Sequence, residues 1–453
     1  MKKIGIILGL LLASATGLMA QNSSTGYFTK GYLYRHEVNP AFGGEKGYVA
    51  FPFLGNMNLG IRGNLSIENF LYNVDGRTTT FMNPKVSTSE ALSNISDLNK
   101  LIFDMKFQLL SFGFKAFGGY NTFSLNLKAN AAVSVPGDIF RMAKEGIENK
   151  SYDLSGLGGS AKAYAELALG HSHEIIEDKL TIGAKVKVLL GGAHASAFFE
   201  KANLNLNSEG SWNVDVDAEL NASMKGIKYE SEYNSDSKRQ HITNFDIDSP
   251  GVGGFGLAVD LGAEYKINDD LAVSAAILDL GYLKWSNNMQ AKSYKNNHFS
   301  TDKYNFSVDE SDSFDDEMDK LADDLAGLAD LQDMGDQGGL TTGIGTSFNV
   351  GVEYKLPGYD KLSFGLLNTT RIQKNASWTD FRLSANFAPA KWFSMGANVA
   401  YGTFGPSFGW ILDLHPTGFG IFVATDHMMG SLSKQMIPLS SNFNLNFGIN
   451  FPF

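Results

Sequence analysis

The C-terminal residues alternate in polarity. Phe443, Leu445, Phe447, Ile449, Phe451 and Phe453 share one parity, while Asn442, Asn444, Asn446, Gly448 and Asn450 share the other. Successive side chains of a strand point to opposite faces, so this segment carries one apolar and one polar face. An apolar face this continuous must be covered, by a protein core or by lipid. Past Gln21 no apolar run is long enough to cross a bilayer as a helix. A chain without such a run enters a membrane only as a closed barrel, because open sheets leave backbone groups unpaired in lipid. In a barrel, lipid covers the apolar parity and the polar parity lines the lumen.

The same period recurs upstream. Gly418–Asp426, Phe408–Leu414, Phe393–Tyr401, Phe381–Phe387, Phe348–Leu356, Phe255–Ile267 and a strand through Leu283 read as strands, as do Met105–Phe117 and Thr122–Val135 around the 118–121 turn. Further strands are expected near Ser160–Glu174, Lys179–Leu190, Ala195–Asn207 and Trp212–Met224. The connections sort by length. If the final strand runs inward, His415–Gly418, Ala388–Lys391, Pro357–Lys361 and Asn268–Asp270 fall on the periplasmic side, and the longer Thr425–Pro438 and Trp285–Gly345 fall outside. The expected fold is therefore all-β, a transmembrane antiparallel β-barrel of about fourteen strands, with sixteen as the alternative. Asn56–Gly63 and Ala195–Met224 are the ambiguous segments. Short helices are expected at Ser89–Phe103 and Pro136–Asn149, the latter with Ile139, Met142, Ala143 and Ile147 on one side. Residues 285–345 form a long outer loop whose acidic part, Asp309–Asp336, reads either as partly helical or as a solvated charge run.

The N-terminus begins with Lys2 and Lys3, continues through an apolar run from Ile4 to Leu12, and offers a cleavage site at Leu18-Met19-Ala20. Residues 1–20 thus read as a secretory signal peptide. The chain has no cysteine, which excludes a lipidated cysteine anchor, a thiolate metal site and disulfides. Its net charge of −11 argues against nucleic acid as a partner.

Motifs that carry chemistry elsewhere sit here in β patterns. Gly251-Val252-Gly253-Gly254-Phe255-Gly256 spells GxGxxG, but a strand follows where a dinucleotide site needs a helix. Gly405-Pro406-Ser407-Phe408-Gly409 spells GxSxG between two strands, where a hairpin is the better account than a nucleophile elbow. His171 and His173 share a strand face without an evident third ligand. Asp309, Glu310, Asp312, Asp315, Asp316, Glu317 and Asp319 lack EF-hand spacing. No enzyme, cofactor or metal site is expected.

Several short patches resemble known barrels. They are Asn39-Pro40-Ala41-Phe42, Phe51-Pro52-Phe53-Leu54-Gly55-Asn56, Val135-Pro136-Gly137-Asp138-Ile139-Phe140, the run from Ser274 to Trp285, and Val423-Ala424-Thr425-Asp426. Together they resemble the FadL/PorV-like outer-membrane barrels of Bacteroidota, and more narrowly a family of unknown function within that group. The resemblance implies fourteen strands in residues 56–453, with residues 21–55 folded as a plug inside or under the barrel and Asn39, Pro40, Ala41 and Phe42 as its motif. It also implies either a passive channel for small hydrophobic molecules or a secretion partner that binds exported proteins. Phe451 and Phe453, at the aromatic end of the last strand, resemble the signal that barrel-assembly machinery reads. The other expected partner is outer-membrane lipid.

Overall fold

The computed structural model describes residues 24–66, 69–146, 148, 150–206, 212–234, 239–249, 251–293, 331–428 and 442–453. The signal-peptide residues 1–20 and the acidic residues from Asp309 to Asp319 lie outside them. Fourteen strands pair antiparallel, each with the next, and the last returns to the first. In order they are Tyr48–Ala50 continued by Met57–Gly63, then Leu98–Ala116, Gly119–Pro136, Gly158–Ile176, Leu180–Leu206, Gly254–Lys266 and Leu271–Trp285. Thr346–Lys355, Leu362–Ile372, Trp378–Ala390, Phe393–Gly402, Gly405–Leu414, Gly420–Thr425 and Phe443–Pro452 complete the wall. Closure pairs Val49 with Phe451 and Leu59 with Leu445.

Polarity along the wall is the reverse of that in a water-soluble protein. On Trp378–Ala390, Asp380, Arg382, Ser384 and Asn386 are buried, while Phe381 and Leu383 are exposed. Val350, Val352, Phe364, Leu366, Val399, Phe408 and Leu412 also face outward. In water such a surface would aggregate; a bilayer covers it, and closure leaves no strand edge unpaired in the lipid. Aromatic residues gather near the short-turn end, including Tyr265, Tyr354, Tyr359, Trp392, Phe419 and Phe451, as at a membrane–water interface.

The two ends differ. At one end the strands are joined by short turns at 117–118, 177–179, 267–270, 356–361, 391–392 and 415–419. Phe117 and Gly118 both have positive φ, the geometry of a tight hairpin turn that matches strand twist. The other end carries the long connections 64–97, 137–157, 207–253, 286–345 and 426–442, together with two tight ones at 373–377 and 403–404. The last strand ends at the short-turn end, where the Phe453 N–H donates to the Gly47 carbonyl at 2.9 Å.

Several expectations need correction. Lys179–Leu190 and Ala195–Asn207 are one strand, Leu180–Leu206. Trp212–Met224 is not a separate wall strand. It pairs with the upper part of Leu180–Leu206, as Gly254–Lys266 does with the lower part, so the two pieces continue one line with 225–253 inserted between them. The 285–345 region is likewise not a plain loop. Met289–Ser293 extends the line of Leu271–Trp285, and Leu331–Asp336 and Thr341–Gly343 extend that of Thr346–Lys355. Leu331–Asp336, expected within a partly helical run, is a strand because it has an edge to pair with. The helix near Ser89–Phe103 is confined to Thr88–Leu92, capped by Ser87, and a strand starts at Leu98. That strand starts early because Asn99 closes on the Val135 carbonyl and the hairpin ladder runs on to Pro136. The later helix is found at Gly137–Glu145.

Candidate functional site

The lumen is filled from the N-terminus. Residues 24–46 pack against the inward, polar parity of the wall before the chain joins it at Tyr48. Tyr48–Ala50 is therefore wall, although it falls in the stretch expected to fold inside. At the long-loop end, the Asp426 carboxylate accepts the backbone N–H groups of Ser24 and Thr25 at 3.0 and 2.6 Å. A short 3-10 helix, Leu33–Glu37, crosses the middle.

The four motif residues dock together. Asn39 is fully buried. Its Oδ1 accepts the Ala41 N–H at 3.0 Å, closing a local turn, and its amide donates to Tyr27 Oη and the Ala263 carbonyl, both at 3.3 Å. Two glycines paired across neighbouring strands, Gly183 and Gly262, make room for this turn. A β-carbon on Gly262 would stand 2.0 Å from Asn39 Oδ1, and one on Gly183 would stand 2.2 Å from the Pro40 carbonyl. Phe42 meets Tyr27 edge-on at 5.0 Å and lies under Arg35 at 4.2 Å. Phe28 presses into a second dent, where a β-carbon on Gly365 would come within 2.2 Å of its ring.

Charge is handled by compact clusters that alternation marks as inward but cannot pair. Lys187 touches Asp260 at 2.6 Å and Asp279 at 2.5 Å, and Lys128 touches Glu166 at 2.6 Å and Asp279 at 3.5 Å. Glu37 of the 3-10 helix pairs with Lys106 and accepts from Gln108 at 3.0 Å and Asn56 at 2.6 Å. Lys185 Nζ donates to the His36 carbonyl at 2.8 Å, and His36 Nε2 lies 2.9 Å from Tyr48 Oη. Buried charges are tolerable only when paired in this way. Between segment and wall lies a cavity of about 620 Å³, counting the space open to solvent. Asp104, Lys106, Lys128, Asp279, Asn349 and Arg371 line it together with Val38 and Leu278, so its lining mixes charged and apolar groups where a purely hydrophobic ligand calls for a mostly apolar one. Among the described residues no cluster of three or more His, Asp or Glu is placed to hold a metal ion.

His36 belongs to the segment and not to the wall. Burial holds its pKa well below the usual histidine range, and the charges of Lys185 and Lys106 push the same way. A base with a depressed folded-state pKa contributes stability above its unfolded pKa and loses it as the pH falls. The window therefore opens near 6.5 and extends downward. At pH 5 the segment should be held more weakly by on the order of 2 kcal/mol from this group. Proteolysis of residues 24–46 at graded pH measures the loss, and His36→Gln should flatten the dependence.

At the long-loop end the helices Thr88–Leu92 and Gly137–Glu145 pack together over an aromatic cluster. Phe70 lies 5.7 Å from Phe81 and 5.5 Å from Phe140, measured between ring centres. His171 and His173 stack at 5.8 Å on the wall, and His171 bonds to Asn121. Phe451 and Phe453 are exposed at the short-turn end.

A comparison with curated proteins found no match. Among solved structures, the barrel is similar to the Ralstonia pickettii toluene transporter TbuX, with 11% identity over 91% of each chain and a TM-score of 0.39. It is also similar to the TodX deltaS2S3 mutant monoaromatic hydrocarbon channel, with 11% identity over 97% of this chain and 98% of that one and a TM-score of 0.42. A Pseudomonas aeruginosa FadL homologue aligns at 11% identity over 96% and 97% of the two chains, with a TM-score of 0.38. These are likenesses of fold. The model of one sequence family matches residues 40–426, and the chain belongs to that family, a family of unknown function designated DUF5723.

Proposed function

We propose that the protein is an outer-membrane channel whose N-terminal segment is its closure. The observation that carries this reading is how residues 24–46 occupy the lumen. They are seated by hydrogen bonds, ion pairs and two glycine dents, contacts that water can replace when the segment moves. The cargo we propose is a small, largely hydrophobic molecule, gathered at the Phe70, Phe81 and Phe140 cluster, with a polar end that suits the charged cavity. Phe451 and Phe453 would serve barrel assembly. In planar bilayers the full chain should be nearly silent, and the chain lacking residues 24–46 should show unitary conductance steps. Equal conductance for the two forms would refute the closure.

A second reading has one observation in its favour. The wall lines continue past the barrel as an extra sheet of Trp212–Met224, Met289–Ser293 and Leu331–Asp336, a surface that could hold an exported protein. Loss of a co-purifying protein on trimming this sheet, with conductance behaviour unchanged, would favour it over the channel.

A further inference from the structure

The Gly405-Pro406-Ser407-Phe408-Gly409 hairpin holds no nucleophile elbow. The chain turns at 403–404, and Ser407 lies on the strand Gly405–Leu414 with its side chain toward the lumen. Its surroundings nevertheless resemble those of an activated serine. His427 Nδ1 lies 2.9 Å from Ser407 Oγ, and Nε2 of the same ring lies 3.6 Å from Asp380 Oδ2. The residues come from two wall strands and the connection 426–442, and all three are buried at the long-loop end. Asp380 is held from the other side by Arg62 at 2.9 Å, whose guanidinium stacks on Trp378 at 3.8 Å.

The geometry points to an acyl-transfer site at this mouth of the lumen, with Ser407 as nucleophile, His427 as its general base, Asp380 as a positioning carboxylate, and small acyl esters as substrates. A hydroxyl, an imidazole and a carboxylate in series are what nucleophilic serine chemistry requires, and the array is recognised by geometry rather than by chain order. The ring is turned the opposite way from the commonest arrangement, with Nδ1 facing the serine. Either nitrogen can act as base when the other carries the proton, and Asp380 beside Nε2 favours that tautomer. At 3.6 Å the carboxylate contact is looser than a hydrogen bond, and among the described residues Nε2 has no hydrogen-bond partner. Such contacts tighten when substrate binds. Burial, followed by the charges of Arg62 and Arg382, holds His427 well below the usual histidine range, so the resting ring is neutral.

In the reaction, Ser407 Oγ bonds to the ester carbonyl carbon and its proton passes to His427 Nδ1. The tetrahedral adduct collapses, the ester C–O bond breaks, and the leaving alcohol takes the proton back. Water then repeats the sequence on the acyl-serine, releasing the carboxylic acid and restoring the hydroxyl. The low exposure of all three residues limits substrates to small, uncharged esters.

The test is to treat the full chain, folded in detergent, with a fluorophosphonate and to map the adduct by peptide mass spectrometry. Labelling at Ser407 is expected. His427→Gly should slow it about 100-fold or more, with recovery on adding imidazole. Asp380→Asn, compared in protein that keeps folded-barrel mobility so that loss of the Arg62 pair is not what is read, should label more slowly than Asp380→Glu. p-Nitrophenyl acetate should be hydrolysed by the native chain and not by Ser407→Ala. Absence of an adduct at Ser407 in wild-type protein that still shows the gel mobility of a folded barrel overturns the proposal, and that result needs no variant to fold.

Discussion

Replacing Lys187 with methionine is expected to cost the folded barrel about 3–5 kcal/mol, the loss typical of breaking a buried ion pair from one side. Lys187 is the cation between Asp260 and Asp279, at 2.6 and 2.5 Å, and Glu166 lies 3.9 Å away. Methionine keeps most of the volume and removes the charge. The ion pairs left in the cluster would then be those of Lys128 with Glu166 and Asp279. Asp260 would be left worst off, since Lys187 is its short contact and it is almost fully buried. Urea unfolding in detergent micelles, followed by heat-modifiable gel mobility, reads the loss. The diagnostic comparison is the double variant Lys187→Met with Asp260→Asn, which removes the stranded charge together with its partner. It should recover a large part of the stability. If the double variant is as unstable as the sum of the singles, the cluster is not the coupled unit described here.

That cluster also shows where reading the sequence stops. Alternation marks Lys185, Lys187 and Asp260 as inward because each lies on the parity opposite to outward residues such as Val186, Val259 and Leu261. It does not say that residues 166, 187, 260 and 279 converge, since that depends on strand register around the barrel. The strands themselves were legible because lipid imposes a strict two-residue period on the outward face. Leu362–Ile372 escaped notice because Leu367 breaks the period. It points inward and is buried with Tyr27 and Phe28. The ambiguity between fourteen and sixteen strands had a similar cause. Ala195–Asn207 and Trp212–Met224 look like extra strands but are the upper parts of two neighbouring wall lines. The Asn39–Phe42 motif stood out by family resemblance alone; nothing in its composition indicates the two glycines that receive it. Ser407, His427 and Asp380 were hidden for the same reason as the ion cluster, because they meet only across the closed wall.

The seating of Asn39 and Pro40 makes a sharper prediction than removing the whole segment. Gly262→Val should expel residues 24–46 while leaving the barrel closed. The new β-carbon would fall 2.0 Å from Asn39 Oδ1, 2.8 Å from Pro40 Cδ and 3.0 Å from the Pro40 nitrogen; turning the Asn39 side chain relieves the first only by giving up its hydrogen bonds and leaves the contacts with Pro40. The wall cannot yield, because Gly262 is laddered on both sides, to Gly183 and to Ala276. The segment is the weaker partner, since its turn is tied to the wall there by the Asn39 amide bonds to the Ala263 and Ala275 carbonyls at 3.3 and 3.5 Å. Overpacking of this kind costs about 1–3 kcal/mol. That is enough to raise the displaced population roughly 5- to 150-fold. Ala275→Val is the control: it places a valine on the neighbouring strand, where the side chain faces outward. Limited proteolysis should therefore cut the N-terminal segment readily in Gly262→Val and slowly in Ala275→Val, with both proteins keeping folded-barrel mobility. Conductance should appear in the first and not in the second. A Gly262→Val barrel that stays folded, protected and silent would mean that the dent does not hold the segment, and the closure would then have to rest on the Glu37 and Asp426 contacts instead.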